Sequence, residues 1–355
     1  MKRIFSKVLA GILVGIGLQG NAQDIHYSQF YENALLRNPA LTGIFTGDYK
    51  VGIDYRSQWS AISSNPYSTV MISGETRILV NREINDYLSF GLATNFDKAG
   101  EVNMAKTQVY PSIAYNKALD DVYHTYLSVG LSGGLNKMSV DQSKFRTSTQ
   151  YVNGVYDPTN STGENVTYKN FNHYDIGAGV SLNSSLDENG LFNYYLGVSA
   201  YHINTPTEEF YGTGDPVSRA IKWQFNAGFH SSFSEQFGIT VHGNYSNQGP
   251  SNEVILGGFF TWRSVPVGLP SIFALNFGAF YRYKDAFIPM VRVDYKDIAI
   301  GFSHDVTNSA LAASVAGTNA TELTFYVKGL YQHRKNPRDP MYCPRFEDVN
   351  NYNFR

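Results

Sequence analysis

Trp223-Gln-Phe-Asn-Ala-Gly-Phe-His-Ser-Ser-Phe233 alternates in character. Its odd positions, Trp223, Phe225, Ala227, Phe229 and Phe233, are mostly apolar, whereas Lys222, Gln224, Asn226, His230 and Ser232 hold the even ones. Successive side chains of a strand point to opposite faces, so a period of two predicts a strand with one apolar and one polar side, and helical spacing does not fit. The run from Tyr174 repeats the pattern, with Ile176, Ala178, Val180 and Leu182 set against Asp175, Gly177, Gly179, Ser181 and Asn183. Here the polar face is also small. Tyr49, Val51, Ile53 and Tyr55 against Lys50, Gly52 and Asp54 form a third example, and Phe237, Ile239, Val241 and Tyr245 against Gly238, Thr240, His242 and Asn244 a fourth.

Working outward, such runs predict about fourteen strands, near 48–58, 67–78, 87–97, 104–117, 123–137, 171–184, 192–204, 219–233, 237–247, 252–263, 272–283, 287–296, 298–305 and 320–331. Globular strands usually have about five or six residues, whereas a tilted strand crossing a bilayer needs about 9 to 11. Most of the predicted strands reach or exceed that length, which favours a membrane barrel over a soluble sandwich. Lipid offers no partner to a backbone amide, so only a closed sheet satisfies every strand. With the N-terminus in the periplasm, the connections 138–170, 205–218 and 306–319 face outward and are long, while Ser234-Glu-Gln236 and Lys296-Asp297 are short inner turns. The connection 264–271, with Pro266 and Pro270, is longer than a tight turn, and Ile255 and Phe259 make both faces of 252–263 apolar. The expected fold is an all-β, transmembrane antiparallel barrel over residues 48–331. Residues 23–47, with Asn38-Pro39 and Gly43, lack a clean strand pattern and are expected through or beneath the lumen; residues 332–355 form a periplasmic tail.

Composition and the leader agree. Lys2, Arg3 and Lys7 precede an apolar run from Val8 to Leu18, and Gly20 and Ala22 are small residues at the −3 and −1 positions of a cleavage site. Residues 1–22 therefore read as a secretory signal peptide, with the mature chain starting at Gln23 or Asp24. The run is too short for a membrane helix, and no cysteine stands near the cleavage point to accept lipid. Aromatic residues make up 15% of the chain, and charged residues only 16% against roughly 25% in a typical soluble domain, so something other than water faces part of the surface. Net charge is −2 without a basic cluster, which gives no footprint for nucleic acid. Cys343 is the single cysteine, so no internal disulfide can form.

No residue set has the form of a catalytic site, and no cofactor is implied. Ser303-His304-Asp305 is tempting, but neighbours on a strand face opposite ways and cannot build a relay. The histidines lack zinc-site spacing, and His124, His230 and His242 read as lumen or rim residues. The Asn160 and Asn165 sequons read as polar loop residues. Lys50, Asp54, Arg56, Glu75, Arg77, Lys222, Arg282, Arg292, Asp294, Glu322 and Lys328 fall on the lumen face, either as a selectivity lining or docking surface, or as charges that a wet interior tolerates.

Tyr27-Ser-Gln-Phe-Tyr-Glu-Asn-Ala-Leu-Leu-Arg-Asn-Pro-Ala-Leu-Thr-Gly43 resembles the opening of the PorP/SprF family of type IX secretion system membrane proteins, above all in Asn38-Pro39-Ala40 and Gly43. Tyr55-Arg56-Ser-Gln58-Trp59 resembles the end of that family's first strand; Gly301-Phe-Ser-His-Asp305 and Glu322-Leu323 resemble its last two strands, with His304 where an aromatic is frequent, and Cys343-Pro-Arg-Phe346 its C-terminal signature. The resemblance implies a fourteen-stranded outer-membrane barrel that works with type IX secretion components. SprF-like members are paired with secreted adhesins carrying a type IX C-terminal domain, used in surface attachment and gliding; PorP-like members belong to the apparatus at the periplasmic face. The expected role is therefore non-enzymatic reception or anchoring of an adhesin. Arg56 and Trp59, with Tyr151, Tyr156, Phe210 and Tyr211 in the long loops, are the candidate contacts, although aromatic loop residues equally suit a membrane-interface girdle. The alternative is an outer-membrane channel or small-solute transporter lined by the lumen charges.

Overall fold

The computed structural model describes residues 24–331, apart from 62, 64, 82–83, 101–103, 142–143, 145, 153, 164–169, 189, 209–216, 235, 265–272 and 309–318. The leader, the tail with Cys343, most of the 264–271 connection, and Phe210, Tyr211 and Asn165 lie outside the described residues. The described chain forms one closed antiparallel barrel. Its strands are β1 (Tyr49–Gln58), β2 (Tyr67–Asn81), β3 (Asp86–Ala99), β4 (Met104–Asp120), β5 (Thr125–Ser139), β6 (Asn170–Ser185) and β7 (Phe192–Tyr201). They continue with β8 (Lys222–Ser231), β9 (Phe237–Gln248), β10 (Ser251–Arg263), β11 (Phe273–Arg282), β12 (Ala286–Tyr295), β13 (Ile298–Thr307) and β14 (Ala320–Gly329). Each pairs with its neighbours in sequence, and β1 closes the ring on β14 from Tyr49 opposite Gly329 to Gln58 opposite Ala320. The fourteen strands match the number predicted from alternation.

Alternation explains the wall. In β5, Leu127, Val129, Leu131 and Leu135 are exposed on the outside while Tyr126, Ser128, Ser132 and Asn136 are buried within. The same inversion runs round the ring: Val51, Ile53, Ile72, Leu92, Phe225, Phe277, Ile300 and Phe325 face outward, and Asp54, Arg77, Asn116, Gln224, Asn276 and Glu322 face inward. Such an apolar exterior is stable only against hydrocarbon. The three longest connections, 140–169, 202–221 and 308–319, share one end of the barrel, which places that end outside the cell.

Several boundaries move. The 219–233 run shortens to Lys222–Ser231 because Arg219 N donates to Pro206 O and Ser232 N to Leu191 O, so the ladder stops early at both ends. Strands β3, β4 and β13 run longer than alternation indicated, to Ala99, Asp120 and Thr307. Two short hairpins, Tyr151–Val152 with Val155–Tyr156 and Thr207–Glu208 with Val217–Ser218, lie in the outer connections.

Residues 24–48 run through the lumen from the external mouth to the periplasmic end. Asp24 sits beside His202 and Arg219, and Asp48 N donates to Gly329 O at the foot of β14. Between them, a 3-10 turn at Phe30–Glu32, one helical turn at Ala34–Arg37 (α1) and a second 3-10 turn at Pro39–Leu41 keep the segment compact. This plug accounts for the doubly apolar strand. Ile255 and Phe259 of β10 face inward with Phe280, Ile288 and Met290, and Phe30 and Tyr31 of the plug cover them. Intact protein in planar bilayers is therefore expected to show no stable large conductance, whereas a chain lacking residues 24–44 conducts. Equal silence from both would show that something other than the plug seals the barrel.

Candidate functional site

The plug is held by the inward polar residues of the wall, and three levels of contact divide its length. At the upper level, Glu322 of β14 accepts the backbone amides of Ser28 and Gln29, each at 2.7 Å, one on each carboxylate oxygen. Arg56 of β1 lies 3.2 Å from the same carboxylate and 2.9 Å from Asp305 of β13. Arg282 of β11 adds a 3.1 Å contact to Asp305, and Ser28 Oγ donates to Asp305 at 2.5 Å while accepting from Arg56 and Arg282. Backbone amides of a turn and two guanidiniums thus neutralise two carboxylates inside the lumen, where unpaired charge would be costly.

The middle level centres on Glu32. Its carboxylate meets Lys50 at 3.0 Å and Arg292 at 2.6 Å, and Arg292 also binds Asp294 at 2.8 Å. Asn33 donates to Asp54 at 3.0 Å and accepts from Tyr326 at 2.9 Å, while Lys50 lies over the Tyr326 ring. Tyr31 stacks on His242, with ring centroids 5.2 Å apart.

The lower level is the Asn38-Pro39-Ala40 turn, seated against small residues. Asn38 caps the turn by accepting from Ala40 N at 2.9 Å, and its amide nitrogen donates to Val180 O at 3.1 Å and Asn226 Oδ1 at 3.3 Å. A Cβ at Gly179 would collide with Asn38, and one at Gly130 with the Pro39 carbonyl, so the small inner face seen in the sequence is a slot for this turn. Thr42 Oγ1 meets Ser112 Oγ at 2.8 Å. Gly43 N donates to Glu75 at 2.9 Å, and Arg77 donates to Gly43 O at 3.2 Å. Gly43 has a φ of +81°, and a side chain there would also strike Ser89.

At the external mouth Asp24 lies 2.7 Å from His202, 3.2 Å from Arg219 and 3.6 Å from Lys222. Burial opposes its charge, but Lys222, His202 and Arg219 hold the carboxyl well below the usual range. Burial likewise opposes charge on His202; Asp24 and Asp175 outweigh it and raise the pKa.

The lumen charges read from the sequence are inside: Lys50, Asp54, Glu75, Arg77, Arg282, Arg292 and Asp294 are buried and Lys222 is half-buried. Several of them pair with the plug, Lys50 and Arg292 with Glu32, Asp54 with Asn33, and Glu75 and Arg77 with Gly43. Arg56, which alternation places on the lumen face and which is also a candidate partner contact, is 2% exposed and engaged with the plug, because its even position on β1 turns it inward. Trp59, at a φ of 61°, turns over Tyr67 just beyond β1. Tyr151 and Tyr156 pair across the outer hairpin at 5.5 Å, away from any barrel strand, with Arg146 over Tyr156. Ser303 and Asp305 face inward, whereas His304 falls on the outer side and meets Thr321 Oγ1 at 3.1 Å, so the three cannot form a relay. Among the described residues no group of three His, Cys, Asp or Glu is placed to hold a metal ion.

The wall partners converge on landmarks far apart in the chain. Ser28, Arg56, Asp305 and Glu322 meet at one point, and Asn38 and Gly43 dock lower down. A family model described as type IX secretion system membrane protein PorP/SprF matches residues 19–326. The chain belongs to the PorP/SprF family. It is an outer-membrane barrel of the type IX secretion system.

No curated protein matches the sequence. Among solved structures, this PorP/SprF barrel is similar to the toluene transporter TbuX of Ralstonia pickettii, with a TM-score of 0.50 and 10% identity over 83% of this chain and 92% of that one. It is also similar to a FadL homologue of Pseudomonas aeruginosa (TM-score 0.48, 8% identity, 82% and 92% covered). A third is the toluene transporter TodX of Pseudomonas putida (TM-score 0.45, 10% identity, 83% and 92%). At such identities the likeness to TbuX shows the barrel fold alone.

Sequence reasoning missed Asp24, Ser28, Glu32, Asn33, His202 and Arg219 as working residues. The available signal was a charged, strandless opening facing a wall of unmatched inward charge.

Arg56→Met leaves Asp305 and Glu322 short of a cation. Breaking a buried pair costs about 3–5 kcal/mol, so the thermal midpoint of the purified barrel falls and amide exchange over residues 28–33 rises. An unchanged midpoint would contradict this role.

The mouth gives a pH signature. His202, raised above 6.5, contributes stability that is full below 6.5 and lost as pH rises through its folded value. Asp24, lowered below 3.8, contributes above 3.8 and is lost only under stronger acid. Burial holds His26 neutral, its pKa well below the usual imidazole range, and so works against residues 24–27 as pH falls through 6.5. The His202 contribution is therefore isolated on the alkaline side: exchange protection of residues 24–27 should decline as pH rises above 6.5 in the native chain and lose that decline in His202→Gln, while residues 33–43 change little.

Proposed function

We propose that this PorP/SprF protein receives or anchors a secreted surface adhesin bearing a type IX C-terminal domain, at its long-loop face and without catalysis. The observation that carries the reading is the filled lumen: a segment bonded to the wall at three levels leaves the barrel suited to holding a partner at its mouth. The outer hairpin supports it. Tyr151, Val152 and Val155 are exposed there, Val155 by 69%, in a lobe braced by Gln150 and Thr147. Exposed aromatic and aliphatic side chains on a braced turn are the kind of anchor that carries interface energy at low ordering cost. The channel reading loses its main support, because the charges that would line a path are taken up by the plug.

Deleting the gene should move the adhesin from the cell surface into the medium, read by immunoblot of both fractions. Tyr151→Ala with Tyr156→Ala should weaken retention while leaving the barrel in the membrane. Normal surface display in the deletion strain would sink the reading.

A further inference from the structure

The plug is fastened unevenly. From Tyr27 to Gly43 it is tied to the wall through backbone amides, amide side chains and ion pairs on several strands. Ahead of Tyr27, among the described residues, the ion pairs run through the carboxylate of Asp24, while Ile25 packs on an apolar cluster and His26 lies buried within electrostatic reach of Arg282, Arg56 and Asp305.

The site that receives this carboxylate belongs to the wall. Arg219 and Lys222 enter from the start of β8, and His202 from the end of β7. Asp175 of β6 fixes His202 from its far side at 2.7 Å, and Glu208 holds Arg219 at 2.8 Å. Lys106, His173, His26 and Tyr110 are the other titratable groups facing this space, with Asp97 and Glu253 further along the wall. With Asp24 withdrawn, His202 keeps Asp175 and Arg219 keeps Glu208, but Arg219 loses one of its two carboxylates and Lys222 loses its ion pair. The mouth thus offers a carboxylate position that Asp24, and not the wall, fills. Small cavities of about 30 Å³ flank Asp24 on two sides, one beside Tyr110 and Tyr201 and one beside Gln248 and Glu253. The carboxylate retains 13% side-chain exposure, so it is reachable from outside.

We propose that the external mouth is a carboxylate-exchange site, at which an acidic extended segment of a secreted partner replaces Asp24 on Arg219, Lys222 and His202 and frees the tip of the plug. The inference rests on the docking reading above and gives the partner its chemistry: Asp or Glu side chains presented from the long-loop side. Opposite charge steers the segment to the mouth, and the exchange keeps every buried cation paired at start and end. The anchor at Ser28 stays in place, so the lumen remains closed below the mouth.

The test uses the full-length barrel in lipid nanodiscs at neutral pH with two capped peptides, one carrying alternating Asp and Gly and one with Asn in place of Asp. Peptide binding is read by fluorescence anisotropy and the plug by amide exchange. The acidic peptide should bind saturably and raise exchange over residues 24–27 severalfold, with residues 33–43 unchanged; the amide peptide should do neither. Asp24→Asn, an isosteric change, weakens the resident competitor and should tighten acidic-peptide binding. Arg219→Gln with Lys222→Gln should abolish it in a barrel whose far-UV circular dichroism shows the strands intact, and amide exchange over residues 33–43 should stay at the native level. Equal binding of both peptides, binding unaffected by the double variant, or weaker binding to Asp24→Asn would each overturn the proposal. Because these measurements need no cellular adhesin, they fail or succeed separately from the surface-display experiment.

Discussion

Hydrocarbon accepts no unpaired backbone amide, and that constraint governs everything else in this molecule. It closes the sheet, from Tyr49 on β1 round to Gly329 on β14. It turns the side chains inside out, so that Leu127, Phe225 and Ile300 lie outside while Asp54, Arg77 and Glu322 lie within. A ring of fourteen strands is also too wide for its own side chains to fill. The polar interior therefore needs either water or a filler, and the N-terminal segment is the filler.

The filler is specific because it carries the complement of the wall. Without the amides of Ser28 and Gln29, Glu322 would keep only Arg56 of the wall, and Arg292 and Lys50 would lack a partner on the plug without Glu32. Where the plug brings no charge it brings shape. The Asn38-Pro39-Ala40 turn sits in a slot left by Gly130 and Gly179, and Tyr31 lies flat on His242 over the inward apolar patch of β10 and β11. Removing either the charges or the slot would leave the other without purpose, which explains why landmarks so distant in the chain describe one interior.

A barrel plugged in this manner does its work at its ends. The aromatic hairpin of the outer loops and the cationic mouth around Asp24 both lie at the external rim. The mouth differs from the rest of the plug in depending on one exchangeable carboxylate, so the rim and the top of the plug are mechanically one unit, while the deeper anchors keep the membrane sealed.

Alternation along Trp223–Phe233 and its counterparts was enough to determine the barrel, its strand number and which residues face in, because the two solvents impose the period of two on each strand separately. The separation of Ser303 from His304 followed from the same local rule. Residues Ser28, Glu32 and Asn38 carried no such local signal: their partners, Glu322, Arg292 and Asn226, are 294, 260 and 188 positions away and meet them only after the ring has closed. For the same reason alternation put Arg56 on the lumen face without naming its partners, and the segment from Asp24 was expected through or beneath the lumen without the contacts by which Asp24 closes the mouth. Periodicity is a property of neighbours in the chain, whereas charge pairing across a lumen is a property of the closed ring, and only the tertiary structure could decide it.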